Sequence, residues 1–217
     1  MNDIRVISPP MPGADALRLS AIIAVFKRNL RALMRVWRVA ITWFVIEPAI
    51  VLLALALGIG RLVGNVEGGI SYAEFVAPGI VIGTAMYHSL GEAAWAAFER
   101  INQGVYETML TAPVTVREIV LAELCFAAFR AILSTIAVGG FAIAFGWIPL
   151  SAWPALFVVS VGVGLVFGGV GQLFAALSPS IHVLTMVFTV VATPMFFFRA
   201  VSFRFRSCRI GSSPWPG

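Results

Sequence analysis

Several ionisable side chains stand inside stretches that are otherwise apolar, among them Glu47, His88, Glu92, Glu123 and Arg130. A charge in hydrocarbon is costly, so such groups face protein or water, pair with one another, or line a path for protons, ions or substrate. His88 and Glu92 are four residues apart, and Glu123 and Arg130 seven apart, so each couple shares one helical face. His88 and Glu92 could pair as a structural hydrogen bond or handle a proton. The structural reading is the simpler one, because no second acidic relay stands near them. Glu47 precedes Pro48. It reads equally as a residue lining a substrate path and as a neutral packing group beside a proline kink.

Enzyme chemistry is poorly served. Asp3 and Asp15 are the only aspartates, both near the N-terminus, and His88 and His182 fall on different apolar stretches. No metal-ligand cluster and no nucleophile with its base is in view. Cys125 and Cys208 are too few for a disulfide framework, and Cys125, in an apolar run, reads as a small core hydrophobe. A membrane enzyme is therefore set aside, and no cofactor or metal is expected on this chain.

The elements that carry these groups follow from composition. Of 217 residues 60% are apolar and 12% charged, with a mean hydropathy of +0.96. A soluble domain carries roughly twice that charge. The fold class is an all-α polytopic membrane protein with an N-terminal amphipathic interface helix and five transmembrane helices. Residues 1–15 are polar, hold Pro9, Pro10 and Pro12, and show no cleavable signal. They form a cytosolic tail, and the first span serves as an uncleaved insertion signal. Over 16–38, Leu19, Ile22, Ile23, Phe26, Leu30, Leu33, Met34 and Trp37 recur at helical spacing. Lys27, Arg28, Arg31, Arg35 and Arg38 fill the other side, a basic face for anionic lipid at the membrane interface. The plainer alternative is an amphipathic helix packed on a protein core.

Spans are expected over 39–59, 72–98, 119–145, 154–177 and 181–198, the second interrupted by Pro78-Gly79. In the fourth, Gly164 and Gly168 stand four apart, the spacing that lets helix backbones pack closely in lipid. Five basic residues between Lys27 and Arg38 precede the first span, and Arg100 and Arg117 follow the second. Arg61 alone lies in the intervening loop, and no basic residue lies between the third and fourth spans. Basic loops stay inside, so the N-terminus and the 99–118 segment are cytosolic.

The 99–118 segment holds information beyond hydropathy. It reads as a short helix stopped by Pro113, followed by a Thr115-x-x-Glu118 capping box that opens the third span. By itself this is either a contact for a soluble partner or a plain interfacial helix. Glu107-Thr-Met-Leu-Thr-Ala-Pro-Val-Thr-Val-Arg-Glu-Ile-Val resembles the coupling-helix segment of type-2 ABC exporter permeases. The nearest subgroup is that of lipo-oligosaccharide (nodulation-factor), polysaccharide and drug exporters. The resemblance extends from the interface helix to Thr193-Pro194-Met195.

The resemblance implies a permease that pairs with a second copy of itself. Its coupling segment, Gly104, Tyr106, Glu107, Leu110, Ala112, Pro113 and Thr115, would dock on a separate ABC ATP-binding subunit. No phosphate loop is present in this sequence, so ATP and Mg are expected on that partner. The implied activity is outward export of a lipid-linked, oligosaccharide or drug-like amphipathic substrate across a bacterial inner membrane, with membrane lipids as further partners and no nucleic acid. The alternative is an ion-coupled secondary transporter built on Glu47, Glu92 or Glu123, weakened by the lack of an inverted repeat.

Residues 199–217 depart from the family pattern. They contribute Arg199, Arg204, Arg206 and Arg209 with no acid, on the side expected to face outside. Without them the net charge of +5 falls to +1. Related permeases continue with Ser-Gly-x-x-Phe-Pro and a sixth span. A shifted reading frame after Phe198 can restore that pattern, so a frame slip, real or a sequencing error, is expected in preference to a natural divergent tail.

Overall fold

The structure is a computed structural model that describes residues 17–38, 42–54, 58, 60, 71–186 and 188–190. The expected N-terminal tail, parts of the first and fifth spans, the 61–70 loop, Thr193-Pro194-Met195 and the basic tail lie outside the described residues. The Glu47 side chain does so too.

Among the described residues every regular element is helical. Helix α1 covers Leu19–Arg35. A π-helical turn, Thr42–Ile46, leads into α2, Glu47–Leu53. Pro48 sits at the start of α2, where a missing N–H is best tolerated. Helix α3 spans Tyr72–Gly91 and continues through a π turn, Glu92–Ala96, into α4, Ala97–Asn102. The short α5 is Val105–Leu110 and the long α6 Val116–Ala144. A 3-10 turn, Leu150–Ala152, opens α7, Trp153–Leu177. Residues 181–186 and 188–190 are also helical.

Two helices meet the length and hydropathy of a membrane span, Val116–Ala144 and Leu150–Leu177. Their starts and stops have local causes. Thr115 accepts from the Glu118 N–H while the Glu118 carboxylate accepts from the Thr115 N–H, so α6 begins with both orphan donors satisfied. Ser71 and Glu74 do the same for α3. Gly146, at a φ of 74°, follows the end of α6 in the left-handed geometry that glycine adopts without strain.

Pro78-Gly79 does not interrupt α3, contrary to the sequence expectation. Ala77, Ile80 and Val81 around it are buried and packed in one cluster with Val138, Ala142 and Leu156. That packing surrounds a helix that runs unbroken through the proline, as neighbouring helices allow in membrane bundles.

The core is a three-helix contact among α3, α6 and α7, with α1 laid against α6. Helix α7 enters it along a stripe of small residues. A Cβ on Gly164 would lie 2.6 Å from the Ala128 backbone, one on Gly168 2.6 Å from the Ala127 Cβ, and one on Gly171 2.7 Å from the Leu90 carbonyl oxygen. The Ser89 hydroxyl donates to the Gly164 carbonyl at 2.8 Å, and Thr135 and Ser160 are hydrogen-bonded across α6 and α7. The other side of α7 exposes Val158, Val166, Leu173 and Leu177. Cys125 is not the core residue expected: it is exposed on α6. Its neighbours Ala122, Glu123, Phe126 and Ala127 point into the bundle, and the helical turn carries position 125 away from them.

Glycine substitutions separate these surfaces. Gly171→Ala is expected to lower stability by about 1–3 kcal/mol through overpacking against backbone. Gly162→Ala meets nothing within 4 Å. It should be neutral or raise stability by up to about 1 kcal/mol through helix propensity. Thermal midpoints in one detergent check both; equal effects would contradict the packing described.

Candidate functional site

Ionisable groups buried between the α3–α4 helix and α6 form one chain. Arg100 of α4 binds the Glu123 carboxylate through Nη1 and reaches Glu92 through Nη2 at 3.4 Å. Arg130 binds the other oxygen of Glu92. The order Glu123, Arg100, Glu92, Arg130 thus alternates in sign and stitches the α3–α4 helix to α6. Both helices supply two members. Seven residues separate Glu123 from Arg130, which keeps them on one face of α6. Glu92 and Arg100 are eight apart, about 80° out of line in a regular α-helix. The π turn begins at Glu92, and its wider winding removes most of that offset.

This corrects the expected pairing of His88 with Glu92. Both Glu92 oxygens are taken by arginines. His88 instead stacks on the Phe44 ring at 4.5 Å between centroids, and the Arg130 guanidinium lies 4.6 Å from the same ring. Arginine outcompetes a histidine here because its planar fork satisfies carboxylates while its face rests on an aromatic ring. A cavity of about 570 Å³ opens beside the chain, lined by Leu33, Phe44, His88, Glu92, Trp95 and Arg130 among others. Its wall is mostly aromatic and aliphatic, with an ion pair on one side.

The expected coupling segment divides into two faces. Gly104 precedes α5 at a φ of 65°, a left-handed turn that lets the chain double back after α4. Its carbonyl accepts from the Thr108 hydroxyl at 3.1 Å. Glu107, Leu110, Ala112, Pro113 and Thr115 are exposed, whereas Tyr106 is half-buried. Tyr106 lies close enough to Arg100 for the two to interact electrostatically. Burial raises the phenol above its ordinary pKa, Glu123 raises it further, and Arg100 opposes both. The phenol therefore keeps its proton at neutral pH.

Helix α1 also resolves differently from the two-sided pattern. Ala21, Val25 and Asn29 are buried in one stripe against α6, with Phe26 edge-on to Phe126 and Phe129 at 5.7 Å. Leu19, Ile23, Met34 and Trp37 form an exposed apolar sector, and Lys27, Arg31, Arg35 and Arg38 are exposed beside it. The helix has three sectors because it packs on protein along one line while leaving an apolar and a cationic line free. Arg28 turns inward and is half-buried; burial and then Arg100 pull its guanidinium below the usual pKa, and Glu123 pulls it back up. The start of α1 is fixed by Glu118, whose Oε1 accepts from the Arg18 N–H at 2.7 Å.

Sequence reading missed Arg100 as a member of the site, counting it only toward orientation. It also missed Phe44, Trp95 and the second role of Glu118. The pair Glu92 and Arg100 has no helical spacing to betray it, because the π turn makes the match.

Long apolar helices packed around a buried ion chain, with an aromatic cavity beside it and a short exposed helix between them, have the architecture of a helical membrane transport protein. A profile described as "ABC-2 type transporter" matches residues 20–207, and the chain belongs to that family. It is 36% identical over 183 residues to "Nodulation protein J" of Rhizobium leguminosarum bv. trifolii, covering 83% of this chain and 69% of that protein. The identity and coverage are the same for "Nodulation protein J" of Rhizobium meliloti (strain 1021). "Inner membrane transport permease YadH" of Escherichia coli (strain K12) is 22% identical over 178 residues, covering 81% of this chain and 68% of the relative. No solved structure matches the chain significantly. The family is one of transport permeases, and no catalytic role follows from it.

Removing one partner of a buried ion pair leaves an uncompensated charge. Arg100→Met is expected to cost about 3–5 kcal/mol. Arg31→Met, on the exposed sector of α1, should stay within about 0.5 kcal/mol. Denaturation midpoints of the two variants check this; a mild effect at Arg100 would contradict the chain.

Proposed function

We propose that this protein is the permease subunit of an ATP-driven exporter in a bacterial inner membrane, with its N-terminus and α5 on the cytosolic side. A separate subunit binds ATP and Mg and hydrolyses the nucleotide. Two permease copies form the path, and the cargo is an amphipathic molecule, lipid-linked, oligosaccharide or drug-like.

The observation that carries this reading is the outward face of α5. Glu107, Leu110, Ala112 and Pro113 are exposed on a segment pinned at both ends, by the left-handed turn at Gly104 and by the capping box at Thr115. An apolar leucine beside a carboxylate, held rigidly between two long helices, suits a groove on a soluble partner. The family supports an ABC permease in general terms. The cavity supports an amphipathic cargo, since Phe44 and Trp95 offer apolar area beside the Glu92–Arg130 pair. The exposed valines and leucines of α7 suit lipid or a second copy. The basic sector of α1 suits anionic headgroups on the side where basic segments reside.

The ion-coupled alternative fits less well. A carboxylate that cycles protons must be free to take one up, and Glu92 and Glu123 are each occupied by arginine.

The test is assembly with the ATP-binding subunit. Glu107→Arg combined with Leu110→Asp is expected to abolish co-purification and transport while membrane insertion continues. Co-purification at the parent level would overturn the assignment of this face.

A further inference from the structure

Glu123 is 7% exposed, and only one of its two carboxylate oxygens is used. Oε2 accepts from Arg100, while Oε1 is buried without a hydrogen-bond partner. A buried, charged oxygen left bare is a standing cost, and the acceptor it offers points to a donor that arrives in another state of the protein. The nearby groups narrow the choice. Arg28, Arg100 and Tyr106 all act electrostatically on or with Glu123, from α1, α4 and α5 respectively. Arg100 already holds Oε2 and Glu92. Tyr106 is the one member of this group that belongs to the coupling segment, and it faces inward while Glu107 and Leu110 face out. Its oxygen can accept from Arg100 while its O–H remains to be donated.

We propose that Tyr106 is the positioning residue that links the outward face of α5 to the intramembrane ion chain, by donating its hydroxyl proton to Glu123 Oε1 when α5 is pressed toward the spans. The inference rests on the permease reading above and adds the route by which a movement of α5 is felt by α4 and α6. In the structure described here that hydrogen bond is open. Closing it gives Glu123 two donors, Arg100 and Tyr106, and joins α5 to both helices of the ion chain through one carboxylate. A push on Leu110 is then rewarded inside the bundle. By linkage, whatever stabilises the closed bond also favours the partner state that pushes.

The experiment uses the full complex of permease and ATP-binding subunit in lipid nanodiscs, with ATP hydrolysis as the readout. Tyr106→Phe and Glu123→Gln are each expected to lower hydrolysis by at least about fivefold, the lower end of usual coupling. Co-purification should persist in both. The double variant should be no worse than either single one, because both remove the same bond. Leu150→Ala, in the exposed turn before α7, is the control and should hydrolyse ATP at the parent rate. The thermal midpoint of the isolated Tyr106→Phe permease should fall by no more than loss of its Arg100 contact brings, while hydrolysis in the complex falls at least about fivefold, a split that a merely structural role would not give. Unchanged hydrolysis in Tyr106→Phe, or additive losses in the double variant, would overturn the proposal. A parent chain that fails to co-purify with the ATP-binding subunit would instead sink the permease reading itself.

Discussion

Four charges buried against one another are the constraint around which the end of the bundle next to α5 is built. Any one of Glu123, Arg100, Glu92 and Arg130 would be untenable alone in an apolar surrounding. In alternation each carboxylate meets at least one guanidinium, and the chain is neutral overall. The arrangement fixes register, because a slip of one residue along either helix would leave two charges facing hydrocarbon. It also accounts for the π turn. A regular helix from Tyr72 to Asn102 would aim Arg100 away from Glu92, so the widened winding at Glu92–Ala96 follows from the pairing. Away from the ion chain the fixing is done by shape. Gly164, Gly168 and Gly171 let α7 approach α6 and α3 to distances that no larger residue would permit.

Much of this was legible in the residues. Apolar content and basic-loop asymmetry define an all-helical membrane chain, and the Thr115–Glu118 capping box marks the start of α6 before any coordinates are consulted. The close packing of Gly164 and Gly168 follows from their spacing, whereas that of Gly171 does not. What stayed hidden depends on geometry that sequence periodicity assumes away. A search for helical partners finds His88 with Glu92 at four residues, yet the actual partners are Arg100 at eight, brought round by a π turn, and Arg130 on another helix. Cys125 looks like core because its run is apolar, but in a membrane the outward face of a helix is apolar too. The same ambiguity explains α1, whose apolar residues divide between a sector packed on α6 and one left exposed.

Helix α1, α5 and the start of α6 form a layer with two sides. Its inner side is the buried stripe of α1, Tyr106 and the Glu118 carboxylate, which ties the start of α1 to the start of α6. Its outer side is Glu107, Leu110 and the Ala112-Pro113 turn, with the cationic sector of α1 alongside. Such a layer can pass a displacement inward only if its two sides move as one body. Gly104 and Thr115 meet that condition, because the segment between them is short, holds the α5 helix and is pinned at each end. Membership of the ABC-2 type transporter family fits a permease that is moved by another subunit.

The measurement that tests this account most directly is disulfide crosslinking in native membranes between single cysteines at positions 106 and 110 and a cysteine in the groove of the ATP-binding subunit. The exposed Cys125, together with Cys208, is first replaced by serine. The account predicts rapid crosslinking from position 110 and little from position 106, whose side chain turns toward Arg100. Crosslinking from position 106 in preference to 110, or from neither, would contradict it.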